Sequence, residues 1–206
     1  LERAVKQLGL KGAMIHGLSC GKMIDEREFW PIFEVAEELD VPIYLHPADP
    51  DKTVTERYYS PYDKSHPMVT RAAWGFGIET GTQAVRLILS GIFDRHPKLK
   101  IFLGHFGEAI PFWLPRIHES FTRPGNEHID FKRIFKENFW ITTSGFFSDN
   151  ALELCLKVLN AEKILFAVDW PYANNKVGVD WLANAPIDKH TKNLIFSENA
   201  RNLFNL

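Results

Sequence analysis

Short apolar runs alternate with amphipathic helical stretches along this chain, and the pair recurs five times in the same order. The runs are "GAMIHG", "VPIYLHP", "PKLKIFLGH", "NFWITTSGF" and "KILFAVDWPY". The stretches that follow them are "DEREFWPIFEVAEELD", "ETGTQAVRLILSGIF", "EAIPFWLPRIHESF", "SDNALELCLKVLN" and "DKHTKNLIFSENARNLF". Strand-then-helix alternation argues for a parallel sheet with helices outside it, either an open doubly wound sheet or a barrel. The runs are continuously apolar rather than alternating, as expected of strands covered on both faces.

Local chemistry marks the elements. A further helix opens the chain at 1–9, with Leu1, Ala4, Val5 and Leu8 at helical spacing. Asp25 and Glu26 suit a helix N-terminus, and Phe29, Ile32, Phe33 and Ala36 share its apolar face. Val85, Leu87, Ile88 and Ile92 are expected in the core, with Gly91 near a helix end. Pro111 and Pro115 interrupt the helix after the third strand. Ser148 and Asp188 are the expected caps of the last two helices. Residues 48–66 are polar and rich in proline and tyrosine, and read as a long functional loop. No change in composition marks a boundary, so residues 1–206 are expected to form a single domain.

Composition excludes several function classes. A net charge of -2 gives no electrostatic footprint for nucleic acid or an anionic membrane surface. No apolar run approaches the roughly 20 residues of a membrane span. The start lacks a secretory pattern. Cys20 and Cys155 lie far apart and form no CxxC pair, so a reducing cytoplasm is the expected compartment.

In parallel α/β folds the working edge lies at the C-terminal ends of the strands. The five strand tips carry His16, His46, His105, Ser144 and Asp169. Any one of them alone reads as a turn or loop residue. Together they would converge if the sheet curls. Histidine and aspartate are ligands for zinc or a similar divalent ion. The prolines of "HP" and "DWP" would hold His46 and Asp169 in stiff turns. From spacing alone His105 is either a third ligand or a general acid or base. Glu108, three residues on, can orient its ring or simply favour the dipole of the next helix.

Four segments, "YLHP", "DRHPKLKIFLGHFGEAIPFWLPRI", "FWITTSGFF" and "ILFAVDWPY", resemble the metal-dependent decarboxylase branch of the amidohydrolase superfamily. That branch includes aminocarboxymuconate-semialdehyde decarboxylase, and the nearest likeness is to the γ-resorcylate and 2,3-dihydroxybenzoate type. The resemblance implies a (β/α)8 TIM barrel with one divalent metal ion (Zn2+, Mn2+ or Mg2+) at its mouth. It implies that His46 and Asp169 bind the metal and that His105 and Glu108 form the catalytic pair. It further implies that Arg116 binds substrate. His16, Trp74 and Phe76 are placed at the substrate, and Trp170 could help wall its ring. Family members begin with a Glu-x-His or Glu-x-Ala strand that supplies another ligand, and none of the five apolar runs here carries that motif. Five βα units also fall short of eight. The resemblance therefore implies the C-terminal part of such an enzyme.

The implied activity is non-oxidative decarboxylation of a hydroxybenzoate-type aromatic acid, with Asp169 protonating the ring carbon and His105, held by Glu108, managing a phenolic or water proton. Two alternatives use the same residues. One is a metal-dependent hydrolase of an ester, lactone or amide; the other is a truncated, non-catalytic relative. A homodimer or homotetramer is expected, with residues 48–66 and the helix after Glu108 as contact surfaces.

Overall fold

The computed structural model describes all 206 residues. Five strands form one sheet in the order β1-β2-β3-β4-β5, all parallel: β1 Ala13–His16, β2 Ile43–His46, β3 Ile101–Leu103, β4 Phe139–Thr142 and β5 Ile164–Leu165. Sequential order decides between the two expected architectures. A doubly wound sheet reverses direction from its first strand, whereas a barrel adds each strand beside the last. This sheet winds one way only.

The register separates two faces. Ile43, Leu45, Ile101, Leu103, Phe139 and Ile141 point to one side and are at most 2% exposed. They anchor a core of 30 buried residues running from Ile24 to Ile195, built from the sheet and the surrounding helices. Met14, Tyr44, Phe102 and Trp140 lie in one register row on the opposite, concave-type face. Tyr44 and Phe102 meet edge-on, and Phe204 of the last helix packs against Phe102. His16 and His46 stand two residues beyond Met14 and Tyr44, so they belong to this second face, at its C-terminal rim.

Several local expectations need correction. Residues 48–66 are not an irregular loop. They fold into short helical turns, Lys52–Val54, Thr55–Tyr59 and Ser60–Tyr62, started by Asp51, whose carboxylate accepts from Thr53 N at 2.8 Å. Prolines 61 and 67 keep the turns short. Asp25 and Glu26 stand at the start of a helical run as expected: Glu26 occupies the N-cap position of a 3-10 turn, Arg27–Phe29, that leads directly into the second helix, Trp30–Glu38, with Pro31 in its first turn. Asp25 grips Arg86 through two hydrogen bonds of 2.8 and 3.0 Å. Ile32 is 40% exposed because Trp30, Phe33 and Ala36 make the buried stripe. The opening helix is shorter than expected, Glu2–Lys6, and Leu8 is exposed. Pro115 sits inside the Ile110–Phe121 helix without ending it. Two helices, Phe131–Asn138 and Asn175–Asn184, lie in segments not read as elements; Asp130 and Asn174 cap them. Ser148 and Asp188 cap their helices as expected, accepting from Ala151 N and Thr191 N. No helix is long and apolar enough to cross a membrane.

Candidate active site

The turn after β3 is built from backbone that most residues avoid. His105, Phe106, Gly107, Glu108 and Ala109 have φ of 48, 56, 82, 52 and 63°. Five consecutive left-handed residues, four with a Cβ, form a reversed turn that carries a local steric cost of ~1–2 kcal/mol per non-glycine residue. The surrounding structure fixes it. Phe106 is buried against Phe146 and Trp181, and its carbonyl lies 3.7 Å from Cys155 Sγ. Gly107 is required: a Cβ there would stand 2.9 Å from Ile141 Cγ2 and 3.0 Å from Pro111 Cδ. The turn brings His105 Nδ1 to 2.7 Å from Glu108 Oε1.

The Gly75–Leu89 helix closes over that carboxylate. A Cβ on Gly77 would meet Glu108 Oε2 at 3.1 Å, and one on Gly81 would meet the Glu108 carbonyl at 3.0 Å. Two glycines one helical turn apart thus let a backbone lie directly on the acid. The Glu108 side chain is 3% exposed, and that of His105 is 30%. Burial raises the Glu108 pKa, with His105 pulling the other way. Burial also opposes charge on His105, but the hydrogen bond and charge of Glu108 and the nearby Asp169 outweigh it, and the imidazolium is favoured above its ordinary range. With Nδ1–H donated to Glu108, Nε2 is the free nitrogen of His105.

Asp169 faces that nitrogen, with Oδ2 3.8 Å from His105 Nε2. The regular ladder of β5 stops at Leu165, yet the chain stays beside β4. Thr143 Oγ1 donates to Ala167 O and accepts from Ala167 N, and Gly145 N donates to Val168 O. Asp169 then turns with φ of 70°. A Cβ on Gly145 would stand 3.1 Å from Asp169 Oδ2, so the glycine after Ser144 leaves room for the carboxylate.

His46 ends β2 with Nδ1 2.7 Å from Pro47 O. A carbonyl only accepts, so Nδ1 carries a hydrogen that is committed to Pro47 O, and Nε2 is the ring nitrogen left for a ligand. The His16 ring packs against it, with centroids 4.5 Å apart. Partial burial and the His46 charge lower the His16 pKa. Ser144 turns inward. Its hydroxyl is 2.6 Å from Thr142 Oγ1 and 3.3 Å from the Tyr44 hydroxyl, a buried knot beneath the rim. Burial raises the Tyr44 pKa, against the pull of the Ser144 and Thr142 hydrogen bonds.

The structure thus gathers His46, His105, Glu108, Asp169 and His16 along one rim. Phe76 lies half-buried in the helix turn that carries Gly77. Trp74 and Trp170 are 57% and 72% exposed. Arg116 is exposed on the Ile110–Phe121 helix, near Glu119, and shares no hydrogen bond or ion pair with the rim residues. The hydroxyl knot and the glycines at 77, 81 and 145 were not read from sequence. The Gly77–Gly81 spacing in "GFGIETG" was the available signal.

His46 Nε2 and the Asp169 carboxylate are donors of the kind that hold zinc or manganese. Their chemistry fits a divalent ion. No group of three or more His, Cys, Asp or Glu in the chain is arranged to hold one unaided, so this pair would form part of a ligand set.

A singly wound parallel sheet with a His–Glu pair and an Asp facing that His on its C-terminal rim defines the class: an α/β fold of the TIM-barrel type. The amidohydrolase family pattern matches residues 1–206, and the chain belongs to that family. It is 38% identical to a γ-resorcylate decarboxylase of Polaromonas sp., over 100% of this chain and 65% of the relative. The chain therefore spans about two thirds of the length of such relatives, just under that mark. Among solved structures it resembles a dihydroxybenzoic acid decarboxylase from Polaromonas with bound manganese and the inhibitor 2-nitroresorcinol. That match has a TM-score of 0.90 at 37% identity and covers 100% of this chain and 64% of the other. It also resembles a Rhizobium 2,6-dihydroxybenzoate decarboxylase complexed with 2,6-dihydroxybenzoate, with a TM-score of 0.89 at 36% identity, covering 99% and 65% of the two chains.

Proposed function

We propose that this protein is a metal-dependent, non-oxidative decarboxylase of a hydroxybenzoate-type aromatic acid. The observation that carries the reading is the buried His105–Glu108 pair with Asp169 Oδ2 3.8 Å from the free His105 nitrogen. His46 and Asp169 would hold the metal, and manganese in the related structure favours Mn2+ over Zn2+ or Mg2+. When bound, the metal supplies Lewis-acid and template chemistry for the substrate's carboxylate and ortho oxygen. The bond from ring carbon to carboxylate breaks, carbon dioxide leaves, and the electron pair stays on the ring carbon. Asp169 delivers to that carbon a proton it has received, by way of His105 Nε2, from the phenol or a water. His105 Nε2 takes the phenolic or water proton, while Glu108 fixes the ring and stabilises the imidazolium. Phe76 lines the substrate's side of the cleft, with Trp74 further out. Arg116 binds the carboxylate only if a movement or a second copy brings it to a rim.

A homodimer or homotetramer is the proposed assembly. Tyr58 and Tyr62 in 48–66, and Phe112 and Trp113 on the helix after Glu108, are exposed aromatics that suit contact surfaces. Two free thiols, Cys20 and Cys155, support a reducing cytoplasm, and the continuous core supports reading 1–206 as one unit.

The test is carbon dioxide release from 2,6- and 2,3-dihydroxybenzoate by the manganese-loaded protein, beside a panel of lactones and esters. Release that falls ~10²–10⁴-fold in His105→Asn supports the reading. Hydrolysis without carbon dioxide overturns it in favour of the hydrolase.

A further inference from the structure

Tyr44 skips a strand. It pairs in register with Phe102 of β3, yet its hydroxyl lies 3.1 and 3.3 Å from the hydroxyls of Thr142 and Ser144 at the tip of β4. Thr142 and Ser144 are buried and stand 2.6 Å from each other. Each hydroxyl can give one hydrogen and accept another, so the three close a ring with no donor left over. Gly104, directly after β3, makes the crossing possible. A Cβ there would stand 2.8 Å from Tyr44 Oη, while its next neighbour, Glu108 Oε1, would be at an ordinary 3.6 Å. Gly104 has an extended backbone, φ -73° and ψ -176°, which any residue adopts. The tyrosine hydroxyl, not the backbone, is what excludes a side chain at this position.

The hydroxyl ring therefore lies under both halves of the proton path. Gly104 is the residue before His105 and caps the turn that carries it. Ser144 is the residue before Gly145, whose missing Cβ makes room for Asp169 Oδ2 at 3.1 Å. We propose that Tyr44 is a positioning residue for proton transfer: its hydroxyl, seated under Gly104 and tied to β4, sets the 3.8 Å gap between His105 Nε2 and Asp169 Oδ2. The proposal rests on the decarboxylase reading and deepens it; Tyr44 acts through the turn and not on the substrate. A misplacement of ~1 Å can cost ~10²-fold in rate, so settling of the turn by about half as much corresponds to ~10-fold. Tyr44→Phe removes the support while leaving the aromatic ring edge-on to Phe102 and Thr142 beside Ser144. Gly104→Ala must displace the hydroxyl or lift the turn. In the double variant the obstructing atom is gone and the new methyl fills its place.

The experiment compares wild type, Tyr44→Phe, Gly104→Ala and the double variant in kcat and KM for 2,6-dihydroxybenzoate, loaded with manganese. Urea melts confirm that each is folded. Tyr44→Phe should lose ~10-fold in kcat with KM within about two-fold, the mark of an interaction that matters only in the transition state. Gly104→Ala should lose at least as much, and the double variant should be no slower than Gly104→Ala. The second readout needs no turnover. The His105 Nδ1 proton, held 2.7 Å from Glu108 Oε1, is followed by proton NMR of the magnesium-loaded protein and identified by its loss in His105→Asn. Its resonance should move in each single variant and return toward the wild-type position in the double. An unchanged kcat in Tyr44→Phe, a loss carried by KM alone, or losses that multiply in the double variant overturns the proposal. No carbon dioxide release by wild type overturns the decarboxylase reading instead. The NMR comparison then decides the role of Tyr44: a resonance unmoved in Tyr44→Phe overturns it, and a shift reversed in the double variant upholds it.

Discussion

Removing His105 should damage stability and chemistry in ways that a second substitution separates. The Glu108 side chain is 3% exposed and its one cationic partner is His105 at 2.7 Å. His105→Ala leaves that carboxylate buried and unpaired. Breaking a buried pair costs ~3–5 kcal/mol, and partial access of water through the 30%-exposed His105 position favours about 3. The loss should depend on pH in a definite direction. Burial already raises the Glu108 pKa, and without His105 only the weaker pull of His46 opposes it. A carboxyl raised in the folded state binds more protons folded than unfolded between its two pKa values. Stability therefore falls as pH rises through that window and returns as pH falls toward the ordinary carboxylate range. Adding Glu108→Gln removes the charge and should recover about 2 kcal/mol at neutral pH. Urea melts of chelator-treated protein at fixed m measure each step. In turnover the pair should act as a unit. Glu108→Gln alone should cost ~10–100-fold, as for other groups that orient a working histidine, and His105→Ala more. The double variant should be no slower than His105→Ala. Losses that multiply, or a double variant no more stable than His105→Ala, would refute the coupling.

Gly107→Ala meets Ile141 and Pro111 at 2.9 and 3.0 Å in a left-handed backbone. Adding ~1–2 kcal/mol of backbone cost to ~1–3 of overpacking gives a loss of about 2–5 kcal/mol in a urea melt. The thiols should differ. Burial pushes Cys155 up to about 12, whereas Cys20 is exposed. One thiol per chain should react with a disulfide reagent at pH 8 in native protein and two after denaturation. Two rapid reactions in native protein would contradict the packing around Cys155.

The repeating pattern of short apolar runs and helices was enough to recover the parallel sheet, because side-chain period and strand length are local properties. It left barrel against doubly wound sheet open, since strand order is a long-range fact that no single segment carries. The strand tips were legible because parallel topology puts all their ends on one edge. His16, His46, His105 and Asp169 meet there as expected, while Ser144 turned into a hydroxyl knot with residues 98 or more positions apart in the Tyr44–Thr142 and Tyr44–Ser144 pairs. Residues 48–66 misled because proline and tyrosine suggest a loop, yet one aspartate cap was enough to start helical turns between prolines. The left-handed turn at His105–Ala109 was hidden for a different reason. Phe106, Glu108 and Ala109 do not favour positive φ, so only the packing of Gly107, Gly77 and Gly81 around the turn explains it. Arg116 shows the limit of motif transfer: it lies on the matching helix but faces solvent in a single chain.

The central claim is that a carboxylate leaves the ring and a proton from this rim replaces it. The direct measurement is incubation of 2,6-dihydroxybenzoate with the manganese-loaded protein in deuterium oxide, followed by mass and NMR analysis of the product. One equivalent of carbon dioxide and one deuterium at the carbon that carried the carboxylate, both suppressed in Asp169→Asn, is the predicted result. Recovery of unchanged acid, or turnover of a lactone or ester with no carbon dioxide formed from the acid, would contradict it.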